Sequence, residues 1–152
     1  MRDWDIRPAI GTDLHYIYSA WLYSYRHESK IGRSTRKIIY FREYCSVIDS
    51  ILSKEDTQVL IACSIDDKDV ILGFLVSEYS HAINSTPILH YVFVKEPFRN
   101  NKIARSLFEK CFGAGGDIYY THATNDGIHA LASRGGFIYN PFLLFKRGKS
   151  NP

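Results

Sequence analysis

Val92-Phe93-Val94-Lys95-Glu96-Pro97-Phe98-Arg99-Asn100-Asn101-Lys102-Ile103-Ala104-Arg105 is the stretch whose reading decides the fold. Its first three residues close an aliphatic and β-branched run that starts at Ile88, and such a run reads as a buried strand. The stretch from Lys95 to Lys102 breaks it. From Ile103 onward, apolar residues recur at Leu107, Phe108, Cys111 and Phe112, the spacing of one helix face, and Gly113 stops the pattern. The order is therefore strand, short irregular loop, helix. A loop feeding a helix N-terminus presents unpaired backbone N–H groups and the positive end of the helix dipole, a ready anion site suited to a pyrophosphate. Arg99, Lys102 and Arg105 add positive charge to it.

Upstream, Trp4 to Arg7 reads as a short strand closed by Pro8, and Thr12 or Asp13 can cap a helix. Leu14, Ile17, Tyr18, Trp21, Leu22 and Tyr25 lie on one face of that helix. Arg26 to Lys37 is polar, basic and contains glycine, serine and threonine, so it reads as a loop. Phe41, Tyr44, Cys45, Ile48, Ile51 and Leu52 mark a second helix. Val59 to Ile65 and Val70 to Val76 are strand runs joined by Asp66-Asp67-Lys68-Asp69, which predicts a β-hairpin. Downstream, Ile118 to His122 is a strand. Asp126 to Arg134 is a short helix stopped by Gly135-Gly136. Phe137 to Phe145 is strand interrupted at Asn140-Pro141. Strands without an intervening helix should be antiparallel, and the crossover between residues 88 and 122 should be parallel. The expected fold class is α+β, an α/β three-layer arrangement with a mixed, mostly antiparallel sheet and helices on both faces.

The chain of 152 residues has 45% hydrophobic and 23% charged residues, which fits one globular domain spanning 1–152. No apolar run is long enough to span a bilayer, and Met1-Arg2-Asp3-Trp4-Asp5 opens no signal peptide, so no membrane partner and a cytoplasmic location are expected. The net charge of +3 excludes a surface that coats a polyanion throughout. Cys45, Cys63 and Cys111 form no disulfide pattern and read as core packing, and the six histidines form no ligand-spaced cluster, so no metal site is expected.

The chain resembles the GNAT N-acetyltransferase superfamily. Arg99-Asn100-Asn101-Lys102-Ile103-Ala104 occupies the places of the family's Arg-x-x-Gly-x-Gly/Ala loop, with Val94 ending the preceding strand. Asn125, Leu131, Arg134, Gly136 and Phe137 fall on a second family element, and the element order matches over essentially the full length. Trp21-Leu22-Tyr23-Ser24-Tyr25-Arg26-His27, Leu89-His90-Tyr91-Val92-Phe93-Val94-Lys95 and Tyr139-Asn140-Pro141-Phe142-Leu143-Leu144 are further similar to phage- and prophage-encoded members, which would place the protein in a bacterial host cytoplasm.

The resemblance implies an acetyl-CoA-dependent acyltransferase acting on a small-molecule or peptide amine by direct attack in a ternary complex. The strand ending at Val94 would splay from that at Ile118–His122. The pantetheine arm would pair with the Val92-Phe93-Val94 backbone, and Asn100, Asn101, Lys102, Ile103, Ala104 and Arg105 would hold the pyrophosphate with Arg99. Asn125 would contact the pantetheine arm or fix the loop, and the Val92 N–H would polarise the thioester carbonyl. His90 is the first candidate base and His122 the second. Period 2 allows only one of His90 and Tyr91 to face the cleft. Tyr25, Arg26 and Tyr91 are candidate acceptor contacts, and His129 could stand in as an acid.

Lys102 replaces the family's glycine, and Ala132 replaces the tyrosine that often protonates the leaving thiolate. These two departures motivate an alternative, a catalytically silent interaction or virion module. Six basic residues between Arg26 and Arg42 (Arg26, Lys30, Arg33, Arg36, Lys37, Arg42) against Glu28 motivate another, a nucleic-acid base-modifying enzyme, although no base-reading motif accompanies them. The chain stops soon after its last strand, which a second subunit in a homodimer could complete.

Overall fold

The computed structural model describes residues 3–79, 86–100, 102–113, 116–124 and 136–145. The elements in chain order are β1 (Trp4–Pro8), α1 (Leu14–Glu28), α2 (Lys30–Ser34), α3 (Lys37–Leu52), β2 (Thr57–Ser64), β3 (Ile71–Tyr79), β4 (Pro87–Val94), α4 (Ile103–Phe112), β5 (Ile118–Tyr120) and β6 (Phe137–Tyr139). Short 3-10 turns at Gly11–Asp13, Glu96–Phe98 and Pro141–Phe145 connect or extend them. The six strands form one sheet in sequential order, antiparallel from β1 to β4 and parallel for the β4/β5 and β5/β6 pairs. No helix among the described residues is long and apolar enough to cross a membrane.

Each face of the sheet carries its own core. Ile17, Trp21, Tyr40, Tyr44, Ile48 and Ile51 of α1 and α3 pack on Ile61, Cys63, Phe74, Val76 and Tyr91. Ile103, Leu107 and Phe108 of α4 pack on Leu60, Leu72, Leu75, Leu89 and Val94 from the other side. Burying each such side chain contributes about 1.5–3 kcal/mol, so the two apolar layers fix the helices to the sheet. Of the cysteines, Cys63 is fully buried, and Cys45 and Cys111 are partly buried.

Three sequence expectations change. The stretch from Arg26 to Lys37 is mostly helical, because α1 runs on to Glu28 and α2 follows at once. Ser29 makes the corner: its hydroxyl donates to the Tyr25 carbonyl (2.6 Å) and accepts from the Gly32 N–H (3.0 Å), ending one helix and capping the next. Gly32 is required there, since a Cβ would lie 2.6 Å from the Arg26 Cα. Asp13 does not cap α1 with its side chain; its carboxylate turns back to accept from the Ile10 N–H (2.8 Å). The last expected strand is only Phe137–Tyr139, and the chain then turns at Asn140-Pro141 into a 3-10 turn. The expected helix at 126–134 lies outside the described residues.

One irregularity in β4 governs the middle of the sheet. Val76 of β3 pairs with Tyr91 and Ser77 with Leu89, so His90 is an extra, unpaired residue, a β-bulge. The bulge resets the alternation of side chains. Leu89 packs under α4, whereas Tyr91, two residues on, packs on the α1/α3 face. His90 is on that face as well, where it meets Glu78 of β3.

Arg7 ties β1 to two other parts of the chain. Its guanidinium grips Asp13 through two bonds of 2.8 and 3.0 Å and donates to the Lys68 carbonyl in the β2–β3 turn (2.9 Å). The hydrogen bond from Arg7 holds the Asp13 carboxyl below its ordinary range despite burial. Asp13→Asn should therefore lower stability at pH 7 by about 2 kcal/mol, the usual loss for a charge-assisted pair. Urea unfolding would measure it, and an unchanged midpoint would contradict the tie.

Candidate active site

β4 and β5 pair over only two positions, Ile88 with Tyr119 and Leu89 with Tyr120. The last bond between them runs from the Thr121 N–H to the Leu89 carbonyl (3.2 Å). β4 then continues to Val94 while residues 121–124 leave the sheet, so β5 is two residues shorter than the sequence suggested. The departure has a local cause. The Thr121 hydroxyl bridges Nδ1 of His90 (2.9 Å) and Nδ1 of His122 (2.8 Å), and all three side chains are buried. The diverging chains open a cleft of about 700 Å³ lined by Tyr91, Val92, Phe93, Val94, Phe98 and Thr124, by Glu28 from α1, and by Arg99, Asn100 and Lys102 to Arg105.

The floor of the cleft is the loop into α4. The Lys95 N–H donates to the Leu72 carbonyl (2.8 Å), the 3-10 turn follows, and Nε of Arg99 folds back onto the Val94 carbonyl (2.8 Å). Asn100 (φ 72°) and Lys102 (φ 67°) both adopt the left-handed conformation. For a residue with a Cβ that conformation costs about 1–2 kcal/mol, which explains why a glycine suits the second position. The backbone of Lys102 thus takes the glycine-like shape. The side chain of Lys102 at the N-cap makes no capping bond to α4, and the Lys102 carbonyl already accepts from the Ser106 N–H (3.0 Å). The N–H groups of the first turn of α4 and its dipole are left facing the cleft beside Arg99, Lys102 and Arg105. Backbone donors with clustered cations form a donor set for a polyanion, and pyrophosphate fits it.

The sequence candidates divide. Tyr91, Val92, Phe93, Val94, Arg99, Asn100, Lys102, Ile103, Ala104 and Arg105 all line the cleft. Asn101 and Asn125 lie outside the described residues, as do His129 and Ala132. Arg26 is not among the residues that line the cleft: its Nη2 donates to the Thr35 carbonyl (3.3 Å) and its guanidinium sits over the Tyr40 ring (5.8 Å). Tyr25 stacks on Tyr44 and meets His122 edge-on behind the cleft wall. Of His90 and Tyr91, only Tyr91 lines the cleft, but strict alternation is not the reason, because the bulge places both on the α1/α3 side. His90 is 1% exposed with both ring nitrogens engaged, so it cannot take a proton directly from a molecule in the cleft.

Two acidic residues escaped the sequence reading. Glu28 continues the inner face of α1, seven residues after Trp21, and its carboxylate lies 3.6 Å from Nη2 of Arg99. Glu78 ends an apolar strand, is 6% exposed, and receives Nε2 of His90 (2.8 Å) and Nζ of Lys54 (3.4 Å). Burial alone would raise its carboxyl, but the bonds from His90 and Lys54 hold it below the usual range. The signal was a charged residue inside an otherwise apolar strand.

His122 sits within 6.0 Å, ring to ring, of Trp21, Tyr25, Tyr44 and Tyr91. Burial, with a smaller contribution from His90, lowers its pKa to about 3. A folded-state value below the unfolded one means stability is complete above about pH 6.5 and falls as the pH drops, since only the unfolded chain takes the proton. His122 should therefore remove about 2 kcal/mol of stability between pH 7.5 and pH 5. Urea titrations at the two pH values would show it, and His122→Asn should flatten the difference. An equal loss in the variant would contradict the assignment.

By sequence, no family model and no curated protein matches this chain. Solved structures do. The histone acetyltransferase HPA2 and related acetyltransferase of Corynebacterium glutamicum is similar with a TM-score of 0.64 at 14% identity, over 88% of this chain and 83% of that one. The tetramutant of the BH1408 protein from Bacillus halodurans gives 0.58 at 17% identity, over 97% and 96%. The ribosomal-protein-alanine N-acetyltransferase of Brucella melitensis biovar Abortus gives 0.52 at 17% identity, over 91% and 80%. With the splayed β4 and β5 and the open helix behind them, the chain has the fold of the GNAT acetyltransferases.

Proposed function

We propose that the protein is an acetyl-CoA-dependent N-acetyltransferase that transfers the acetyl group to a primary amine by direct attack in a ternary complex. One observation carries the reading: the cleft between β4 and β5 ends on the uncapped N-terminus of α4. A long, thin cofactor with a pyrophosphate at one end and a thioester at the other suits that shape. The first-turn N–H groups of α4, with Arg99, Lys102 and Arg105, would hold the pyrophosphate. The freed edge of β4 at Val92 to Val94 would pair with the amide groups of the pantetheine arm. The cofactor supplies the activated acyl group, and the Val92 N–H would polarise its carbonyl.

The protein's own part is to orient and exclude water. Tyr91 forms the cleft wall, stacked on Trp21 (5.1 Å) and held by a bond between its hydroxyl and Ser24 (2.6 Å). Glu28, at the same cleft, is the carboxylate placed to meet a cationic acceptor once Arg99 engages phosphate. Glu28 thus favours an acceptor that arrives as a cation from the α1 side and gives its first proton to solvent, so that the neutral amine attacks.

Arg105→Glu tests the phosphate end without harming the helix, because an acidic side chain in a first turn favours the helix dipole. Calorimetry should give micromolar affinity for acetyl-CoA in the parent, and the variant should lose at least about tenfold, or roughly 1.4 kcal/mol. Its thermal midpoint should not fall. Equal affinity in the two proteins, or no binding by the parent at millimolar acetyl-CoA, would contradict the reading.

A further inference from the structure

We infer that Glu78, His90, Thr121 and His122 form a buried side-chain proton relay whose open end, Nε2 of His122, serves the acyl-transfer cleft. The inference rests on the acetyl-transfer reading and names the groups that handle the proton in it. The distances are continuous: Glu78 Oε1 to His90 Nε2 is 2.8 Å, His90 Nδ1 to Thr121 Oγ1 is 2.9 Å, and Thr121 Oγ1 to His122 Nδ1 is 2.8 Å. Nε2 of His122 is buried and has no hydrogen-bond partner among the described residues.

The carboxylate sets the direction of the chain. Glu78 is ionised, so His90 must present N–H at Nε2, and as a neutral imidazole it carries a lone pair at Nδ1. Thr121 then donates its one proton to His90 and can only accept from His122. His122 therefore bears its proton on Nδ1 and a lone pair on Nε2. Every hydrogen in the chain points toward Glu78, and the one free acceptor is at the other end. Reversing the chain would set a lone pair of His90 against the carboxylate.

Other charged or titratable groups around the chain do not compete for the proton. Tyr25, Tyr44 and Tyr91, from α1, α3 and β4, surround His122, and burial raises all three hydroxyls, so they stay neutral. Lys54, after α3, bonds the same Oε1 of Glu78 that receives His90 (3.4 Å) and helps to keep the carboxylate ionised. The His122 ring lies 6.0 Å from that of Tyr91, which lines the cleft, as does Thr124 two residues on from His122.

The chemistry balances without an outside acid or base. As the amine nitrogen bonds to the thioester carbon, its proton passes through a water to Nε2 of His122. The Nδ1 proton of His122 moves to Thr121, and the Thr121 proton moves to His90, which becomes an imidazolium against the Glu78 carboxylate. When the carbon–sulfur bond breaks and the electron pair leaves on sulfur, each proton steps back and the last reaches the thiolate. The products are the amide and the free thiol, and the relay returns to its starting state. His90, Thr121 and Glu78 act through His122 and are positioning residues.

The test has two readouts. In the ¹⁵N-labelled full chain, long-range ¹H–¹⁵N correlation of the imidazoles at pH 7 should give His90 protonated at Nε2 and His122 at Nδ1. A His122 protonated at Nε2 overturns the relay whatever the activity. Thr121→Val keeps the shape and removes the hydroxyl, and Thr121→Ser keeps the hydroxyl. With butylamine as acceptor, Thr121→Val should lower kcat about 100-fold or more with KM for acetyl-CoA unchanged, and Thr121→Ser should return it to within about threefold of the parent. Parental kcat in Thr121→Val, or equal loss in both variants, overturns the relay and leaves the acetyl-transfer reading standing. A parent that transfers nothing to butylamine removes the relay's substrate proton, and a parent that also fails to bind acetyl-CoA in calorimetry removes the function reading itself.

Discussion

The bulge at His90 is the constraint on which the rest of the molecule depends. A regular β4 would keep Leu89 and Tyr91 on one face. The extra residue sends Leu89 under α4 and Tyr91 beneath α1, where it stacks on Trp21. The same residue holds the Thr121 hydroxyl, which in turn holds His122, and the β4–β5 ladder ends after two pairs. One irregularity thus sets the two cores, opens the cleft and buries the polar chain behind it. A buried histidine at such a position is held by partners on both ring nitrogens, since either one left bare would cost about 1–3 kcal/mol.

The second constraint is electrostatic. The loop into α4 concentrates three cations at an uncapped helix end, and Glu28 sits opposite, paired with Arg99. Positive charge is gathered at the helix end, and Glu28 brings the opposite charge to the same cleft. Two residues with side chains hold left-handed backbone in this loop, so the local strain is carried by neighbours: the fold-back of Arg99 onto Val94, and the burial of Ile103 under the sheet.

Periodicity made most of the architecture legible. α1, α3 and α4 are marked by apolar spacing of 3.6 residues and β2 to β4 by continuous aliphatic and β-branched runs, and the strand–loop–helix order at Val92 to Phe112 stands plainly in the sequence. What escaped reading depends on contacts between distant residues. The basic stretch after Arg26 folded as helix because Ser29 recaps the chain and Gly32 lets α2 approach α1. β5 is short because Thr121 bonds to His90, thirty-odd residues away in sequence, and to His122 beside it. Arg26 found Tyr40 rather than the cleft. His90 was recognised as chemically relevant, but a bulge is a decision of the paired strands and leaves no periodic trace in one of them. Glu78 and Glu28 gave a signal of a simpler kind, a carboxylate in an apolar run and on an inner helix face.

The central claim is that the cleft between β4 and β5 takes up acetyl-CoA. Amide chemical-shift mapping of the ¹⁵N-labelled chain during titration with CoA tests it most directly. The account predicts saturable shifts concentrated at Val92, Phe93, Val94, Ile103, Ala104, Arg105 and Thr124. Shifts confined to the outer face of α3, or none at millimolar CoA, would contradict it.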